Sequence, residues 1–277
     1  MNIEQALALR GEIASYERQE NVWLLEHILQ LDALQMRYRG EQKLTTKQET
    51  QYIEALARLA TGEPLAYIIG SQPFWNLDLK VTSDTLVPRP DTEILVETCL
   101  QLPLPQQVNM IDLGTGTGAI ALSLATERPN WQITATDIYQ PTLQVAQENA
   151  QRYHLNHVQF KLGAWFEALE MPVQPLFDLI VSNPPYIDEQ DQHVQALQAE
   201  PQRALVAKNQ GLADLQIIIE QGQFWLKSNG WMVLEHGYDQ AQAVQDIFAQ
   251  AHFQHIRTVQ DYGGNDRVTL AQKMLSF

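Results

Sequence analysis

The 277-residue sequence has almost no cysteine and no long apolar run, and both shortages limit what the protein can be. Cys99 is the single cysteine, so an internal disulfide bond is excluded and nothing points to an oxidising compartment. No window holds the roughly 18 to 20 apolar residues that a membrane-spanning helix needs. The first ten residues lack the basic and then apolar order of a signal peptide. We therefore expect a cytoplasmic protein.

Basic residues are scarce as well. The chain has 18 Lys and Arg residues against 33 Asp and Glu residues, which gives a formal net charge of −15. An acidic surface repels a phosphate backbone unless basic residues cluster locally, and the sequence contains no run of Lys or Arg. Nucleic acid is therefore not the expected partner.

Apolar residues make up 45% of the sequence, which is enough for a large buried core. Between residues 1 and 70 they recur at steps of three and four, the period of amphipathic helices. Thr46, followed three residues later by Glu49, fits a capping box at the start of one of these helices. Gly62 and Pro64 stop the pattern. Residues 1–70 are predicted to form a small helical domain.

The period changes between residues 71 and 90. Apolar and polar residues alternate from Trp75 to Val81, as they do in a half-buried strand. Ser83-Asp84 then offers a turn, so a hairpin is predicted, with 71–90 as a linker. Pro90 is suited to the first turn of a helix over 91–100, the start of a second domain over 91–277.

From residue 108 onward, short apolar strands alternate with helical segments, which indicates an α/β domain with a parallel sheet covered on both faces. The last two strands are separated by too few residues for a crossover, so the sheet is expected to end in an antiparallel hairpin. The predicted strands are 108–113, 131–137, 158–162, 177–182, 231–235, 255–261 and 267–273. The predicted helices include 118–127, 142–153 and 212–226. The fold class is Rossmann-like α/β with seven strands and a small N-terminal helical domain.

A glycine-rich turn follows the first strand of this sheet. Three of its residues are glycines, which allow positive φ and expose bare backbone to a ligand, and the helix after it offers unpaired N–H groups. Asp137 closes the second strand, where a carboxylate can accept hydrogen bonds from both hydroxyls of a ribose. The same spacing fits a nicotinamide site, so this motif alone leaves the cofactor open. The turn consists of Gly114, Thr115, Gly116, Thr117 and Gly118.

The loop after the fourth strand, Asn183-Pro184-Pro185-Tyr186, should face the glycine turn, because ligands bind at the carboxyl ends of parallel strands. Its prolines remove backbone donors and stiffen the chain. Two fixed acceptors remain, the side-chain oxygen of Asn183 and the carbonyl of Pro184, and they suit a planar –NH2 group. Tyr186 offers that group a flat face. The loop therefore predicts a site for an amide or an exocyclic amine.

With these two motifs, the sequence resembles the S-adenosylmethionine-dependent amino-methyltransferases and, within them, the bacterial release factor glutamine methyltransferases of the HemK/PrmC family. The resemblance covers nearly the whole chain. Besides DLGTGTG at 112–118 and NPPY at 183–186, it includes RPDTE at 89–93, LEHG at 234–237 and DYGGN at 261–265. NPPY is shared with DNA and RNA methyltransferases, whereas its combination with RPDTE and a helical N-terminal domain is specific to this family.

The resemblance implies methyl transfer from S-adenosylmethionine to the side-chain amide of the glutamine in the Gly-Gly-Gln loop of class I release factors. It implies that the loop at 183–186 binds the substrate, with Asn183, Pro184 and Tyr186 catalytic. The glycine turn, Asp137, Trp165 and Asn183 are then the cofactor-binding residues. It also implies that residues 1–70 help to recognise the release factor. We expect a monomer and no metal.

Two departures from the family pattern stand out. The acid that usually precedes Trp-Phe is replaced by Ala164, which leaves Glu167 as a weak substitute for holding the adenine amino group. The Gly-Asp-Val-Arg run that usually follows NPPY is missing at 194–199.

Several residues have two readings. Arg89 either touches a ligand carboxylate or pairs with a nearby acid. Glu235-His236 either reaches the cleft or simply ends its strand, and we prefer the second reading. The histidine pairs at 154/157 and 252/255 lack a third ligand and do not predict a metal site. Three rival functions remain: an amino-methyltransferase of adenine or cytosine, a dehydrogenase, and a non-catalytic binding module.

Overall fold

The computed structural model describes residues 1–171, 173–191 and 197–274. The chain divides into two compact units, Met1–Gly70 and Ser71–Phe277. Across these described ranges, no helix combines the length and the apolarity that crossing a membrane requires.

The first unit is helical. Its helices are α1 (Ile3–Ala8), α2 (Tyr16–Leu29), α3 (Ala33–Tyr38), α4 (Thr46–Ala60) and α5 (Leu65–Ile69). They enclose a core that includes Leu24, Leu25 and Tyr52. The capping box of α4 lies one residue earlier than predicted: Thr45 is the N-cap, and its partner is Gln48.

The segment after this unit corrects one prediction. The hairpin is formed by β1 (Ser71–Phe74) and β2 (Leu77–Lys80), so its turn lies at Trp75-Asn76 and not at Ser83-Asp84. Trp75 adopts φ +56°, and its backbone N–H donates to Glu93 Oε1 at 2.8 Å. The strand predicted through Val81 ends at Lys80, and a short 3-10 turn over Pro90–Thr92 precedes α6 (Glu93–Gln101).

Seven strands of the described residues form the central sheet. They are β3 (Asn109–Leu113), β4 (Gln132–Asp137), β5 (Gln159–Leu162), β6 (Phe177–Ser182), β9 (Leu226–Glu235), β10 (Gln254–Gln260) and β11 (Asp266–Gln272). Their order is β10-β11-β9-β6-β3-β4-β5. β11 runs antiparallel to β9 and β10, whereas the other neighbouring strands of this sheet pair in parallel. The predicted fold class, with its terminal antiparallel hairpin, is confirmed.

Helices cover both faces of this sheet. They are α7 (Ala119–Glu127), α8 (Gln140–Arg152), α9 (Ala213–Trp225) and α10 (Ala241–Gln250), together with α6. Successive residues of a strand enter opposite cores: Met110 and Leu179 join the core with α6 and α7, whereas Ile111 and Ile180 join the core with α9 and α10. A separate pair, β7 (Ile187–Asp188) and β8 (Val206–Ala207), is parallel.

One buried side chain connects the hairpin to the glycine turn. Asn149 of α8 donates from Nδ2 to the carbonyls of Lys80 and Thr117, at 3.1 and 2.9 Å, and its Oδ1 accepts from the Lys80 N–H at 2.7 Å. Since β2 and the glycine turn both bond to one fixed amide, the turn is held in place at the end of β3.

Candidate active site

A cavity of about 280 Å³ opens at the carboxyl ends of β3, β4 and β6. This is the edge of a parallel sheet at which ligands bind. Most of the predicted site residues line it: Gly114, Thr115, Gly116, Thr117, Asp137, Trp165, Asn183 and Pro185. Gly118, Pro184 and Tyr186 are not among the lining residues, and their predicted roles stay predictions.

The glycine turn needs its glycines for two different reasons. Gly114, Gly116 and Gly118 have φ values of +72°, +58° and +85°, which other residues rarely adopt. A Cβ on Gly116 would meet no atom within 4 Å, so the cavity reaches its backbone. A Cβ on Gly118, the N-cap of α7, would lie 2.9 Å from the Leu122 side chain. Gly116 therefore keeps space for a ligand, and Gly118 allows close packing.

Asp137 ends β4 and lines the cavity with a side chain that is largely buried. Its Oδ2 accepts from the Gly116 N–H at 3.1 Å, and its Oδ1 accepts from the Tyr139 N–H at 2.9 Å. Burial raises the pKa of this carboxyl, and the hydrogen bonds from Tyr139 and Gly116 oppose the rise. Because a carboxylate has about four lone-pair sites, Asp137 keeps acceptor capacity for a hydroxyl donor.

The Asn183 side chain also lines the cavity, and Nδ2 donates to Thr92 Oγ1 at 3.1 Å. This bond leaves the Asn183 oxygen for a ligand. Pro184 is buried, and its carbonyl accepts no hydrogen bond from the rest of the described chain. The acceptor role predicted for this loop from its prolines stays a prediction.

Tyr186 contacts the end of β9. Its hydroxyl donates to Glu235 Oε1 at 3.1 Å, and its backbone carbonyl accepts from Gln240 Nε2 at 2.9 Å. Glu235 is 1% exposed, and burial raises its pKa to about 7. Glu235 is the last residue of β9 and does not line the cavity, which fits the interpretation we preferred, and its carboxyl also bonds to the predicted substrate loop. His236 bonds instead to Thr269 Oγ1, at 2.8 Å.

Trp165 and Ala164 also line the cavity. The Trp165 ring lies against Gly114, with Cζ3 3.1 Å from the position that a Cβ there would take. Glu167 is exposed and lies outside the lining of the cavity, so it is no substitute for the acid missing at Ala164. Of the unusual segment 194–199, residues 194–196 lie outside the described residues.

Sequence reasoning missed several residues that line the cavity, among them Thr92, Arg203 and Asp214. The guanidinium of Arg203 lies 4.4 Å from the centre of the Tyr139 ring and donates to the Asp84 carbonyl at 3.3 Å. Thr92 belongs to the RPDTE motif, which was the available signal for it. For Arg203 and Asp214 the sequence offers no comparable signal.

Arg89 forms an ion pair with the buried Glu200. Glu200 also accepts from the Val87 N–H at 3.1 Å. Arg89 therefore pairs with an acid, as in its second interpretation, and because it also lines the cavity its contact with a ligand carboxylate stays a prediction.

Asp112 lies beneath the glycine turn and is fully buried. Its Oδ2 accepts from the Thr115 hydroxyl at 2.6 Å, and its Oδ1 has no partner in the described chain. Burial raises the pKa of Asp112 to about 7, against the hydrogen bond from Thr115.

Comparisons with known proteins agree with this arrangement. The family described as "Methyltransferase domain" matches residues 104–273, and the "PrmC N-terminal domain" matches residues 3–70. A solved methyltransferase from Pyrococcus furiosus is 18% identical, with a TM-score of 0.55 over 80% of this chain and 99% of that one, and shows the same fold. The fold and the site thus define an S-adenosylmethionine-dependent methyltransferase.

Relatives with higher identity narrow this class. A release factor glutamine methyltransferase from Aliivibrio fischeri is 40% identical over 97% of this chain and 94% of its own length. Its counterpart from Escherichia coli is 45% identical over 90% of both chains. This chain belongs to the release factor glutamine methyltransferase family.

Proposed function

We propose that the protein transfers a methyl group from S-adenosylmethionine to the side-chain amide nitrogen (N5) of the glutamine in the Gly-Gly-Gln motif of class I release factors. The observation that carries this proposal is the placement of Asn183, Asp137 and the glycine turn around one cavity. Family membership supplies the substrate, and the cavity supplies residues whose chemistry suits both substrate and cofactor.

The cavity fits the cofactor in three respects. Open backbone at Gly116 suits close approach of a ligand, the remaining acceptor capacity of Asp137 suits ribose hydroxyls, and the Trp165 ring suits an apolar contact. We assign cofactor binding to these residues, to Gly114, Thr115, Thr117 and Gly118, and in part to Asn183. When bound, S-adenosylmethionine supplies a methyl carbon made electrophilic by its sulfonium sulfur.

The chain's own contribution is to position the amide and to stabilise charge that develops on its nitrogen. An amide nitrogen is a poor nucleophile because its lone pair is delocalised into the carbonyl. Acceptors fixed at Asn183 Oδ1 and the Pro184 carbonyl match its N–H groups better as positive charge builds up. Alignment of the amide by the stiff loop, with Pro185 and Tyr186, removes a further entropic cost. The proton leaves to water afterwards, so no base is required before transfer.

The protein partner, the oligomeric state and the cellular location are part of the same proposal. Residues 1–70, a unit with its own core, are assigned to recognition of the release factor. The enzyme acts as a monomer in the cytoplasm, and the net charge of −15 disfavours nucleic acid as an alternative substrate.

The test is mass spectrometry of a class I release factor after incubation with enzyme and S-adenosylmethionine. A mass gain of one methyl group on the loop glutamine is expected, and none on a release factor variant that lacks this glutamine. Asn183→Ala should lower kcat by about a hundredfold or more while cofactor affinity changes by only a few-fold. Full turnover by the Asn183→Ala enzyme would remove Asn183 from its assigned role.

A further inference from the structure

Thr92 stands between the predicted substrate loop and a buried carboxyl. Its Oγ1 accepts from Asn183 Nδ2 at 3.1 Å, and its side chain is 4% exposed. The Glu235 carboxyl lies close enough for the Thr92 hydroxyl to favour its charged form, but no hydrogen bond joins the two in the structure, and Oε2 of Glu235 has no hydrogen-bond partner among the described residues. Tyr186 donates to Oε1 of the same carboxyl at 3.1 Å.

The protons available on these side chains decide which group donates and which accepts in each contact. A hydroxyl has one proton to donate, and the Glu235 carboxyl, whose pKa burial raises to about 7, only accepts once it is ionised. If Thr92 directs its proton toward Glu235, the lone pairs of Oγ1 are left for Asn183, and only the –NH2 side of that carboxamide can donate to them. The carboxamide oxygen is then left for a ligand in the cavity that Asn183 lines.

We propose that Thr92 and Glu235 are positioning residues, which fix the Asn183 carboxamide so that its oxygen, and not its –NH2 group, faces the substrate amide. This inference rests on the proposed function, because it concerns the way in which Asn183 meets the glutamine. An Asn side chain is nearly symmetric in shape, so packing alone selects poorly between its two orientations. The reversed orientation sets –NH2 against –NH2, two donors without an acceptor.

The kinetic test compares three variants of the full-length enzyme. Thr92→Val keeps the shape of the side chain and removes the hydroxyl, and Thr92→Ser keeps the hydroxyl. Thr98→Val is the matched control, because Thr98 is also buried and lies on α6, outside the cavity. The substrate is an intact class I release factor, and the cofactor is S-adenosylmethionine.

For Thr92→Val we expect kcat to fall about tenfold or more, with KM for the release factor and the cofactor Kd changed less than about threefold. Thr92→Ser should recover most of the lost kcat, and Thr98→Val should behave as wild type. A Thr92→Val enzyme with wild-type kcat overturns the inference. Equal losses in Thr92→Val and Thr92→Ser also overturn it, because they indicate a packing role.

A second readout does not depend on activity. In protein labelled with 15N-asparagine, the side-chain –NH2 signal of Asn183 is identified by its loss in Asn183→Ala. We expect Thr92→Val to move this signal toward that of a solvated amide and to speed its exchange with water, and Thr98→Val to leave it in place. An unchanged signal in Thr92→Val overturns the inference. If wild-type enzyme methylates no release factor, the proposed function fails, while this measurement still decides the orientation of Asn183.

Discussion

Substitution of Asp137 tests cofactor binding separately from the other functions of the site. Its carboxylate holds the glycine turn through the Gly116 N–H and has lone pairs left for a ligand. We expect Asp137→Ala to weaken S-adenosylmethionine binding by about 10- to 100-fold, the usual cost of a lost hydrogen bond to a charged group. Titration calorimetry measures this change.

The control for this prediction is Asp246→Ala, which removes an exposed acid of α10. It leaves the cofactor Kd unchanged. Asp137→Asn keeps one acceptor oxygen and should lie between wild type and Asp137→Ala. Equal cofactor affinity in wild type and Asp137→Ala contradicts the assignment of Asp137 to the ribose.

Asp112 makes stability depend on pH. Its pKa is raised by burial to about 7, from an ordinary value of 3.8, so the folded protein holds a proton that the unfolded chain has lost. A raised carboxyl pKa stabilises the fold at low pH, and this contribution is lost as the pH rises from about 4 to about 7. Above that range the term is constant.

Asp112→Asn should remove this dependence. Between pH 5 and pH 8 the free energy of unfolding of the wild type should fall by about 3 kcal/mol more than that of Asp112→Asn, at about 1.4 kcal/mol for each pH unit below the folded pKa. Urea unfolding at the two pH values provides the measurement. Since Glu235 also has a pKa raised by burial, only the difference between the two proteins isolates Asp112. Parallel pH profiles contradict the prediction.

The connecting segment before α9 packs against the predicted substrate loop at a single glycine, Gly211. Gly211 has φ +78°, and a Cβ there would lie 1.9 Å from the Tyr186 carbonyl oxygen. Gly211→Ala must therefore displace Tyr186 and, with it, the loop that holds Asn183. We expect kcat to fall about tenfold or more, and the free energy of unfolding to fall by about 3 kcal/mol. Steady-state kinetics and urea unfolding check the two effects.

Gly264→Ala is the matched control for Gly211→Ala. Gly264 has a similar φ, +82°, but a Cβ there meets nothing within 4 Å. Gly264→Ala therefore loses only the free energy of the left-handed backbone strain, about 1 to 2 kcal/mol, and should keep wild-type kcat. If the two variants lose the same stability and the same activity, contact with Tyr186 is not the cause.

Elements of the sheet were predictable because their apolar runs have few alternatives. The strand predicted at 177–182 is observed over Phe177–Ser182, and the short spacing before β11 correctly gave its antiparallel direction. The hairpin before α6 was misplaced, because its turn depends on Trp75 at φ +56° and on a distant partner, Glu93. Neither the turn preferences of the residues nor the spacing of apolar residues predicts the contact between Trp75 and Glu93.

The candidate site shows the same division. Asp137 and Asn183 were predictable, since each follows a strand whose carboxyl end lies at one sheet edge. The contact of Thr92 with Asn183 and that of Tyr186 with Glu235 were not, because each joins residues far apart in sequence. Glu167 was offered as a replacement for the acid missing at Ala164, but the 3-10 turn over Trp165–Ala168 leaves it exposed.

At the scale of the whole chain, the two units have separate cores. The first is closed by helices, with the Asn21 amide donating to the carbonyls of Ala6 and Leu7 at 3.1 Å. The second contains every residue that lines the cavity. Cofactor binding and recognition of the release factor are therefore expected to be separable functions of one enzyme.

Removal of residues 1–70 tests this separation. The remaining chain, 71–277, keeps both cores of the sheet, so we expect a cooperative unfolding transition and a cofactor Kd within about threefold of the full-length value. On an intact release factor its kcat/KM should fall about a hundredfold or more, the loss of several kcal/mol of recognition. On a short peptide containing Gly-Gly-Gln, the two chains should be equally active, because such a peptide has no surface for the helical unit to contact. Equal activity of both chains on the intact release factor would show that recognition resides in residues 71–277. An equal loss on peptide and release factor would show instead that residues 1–70 support the cavity itself.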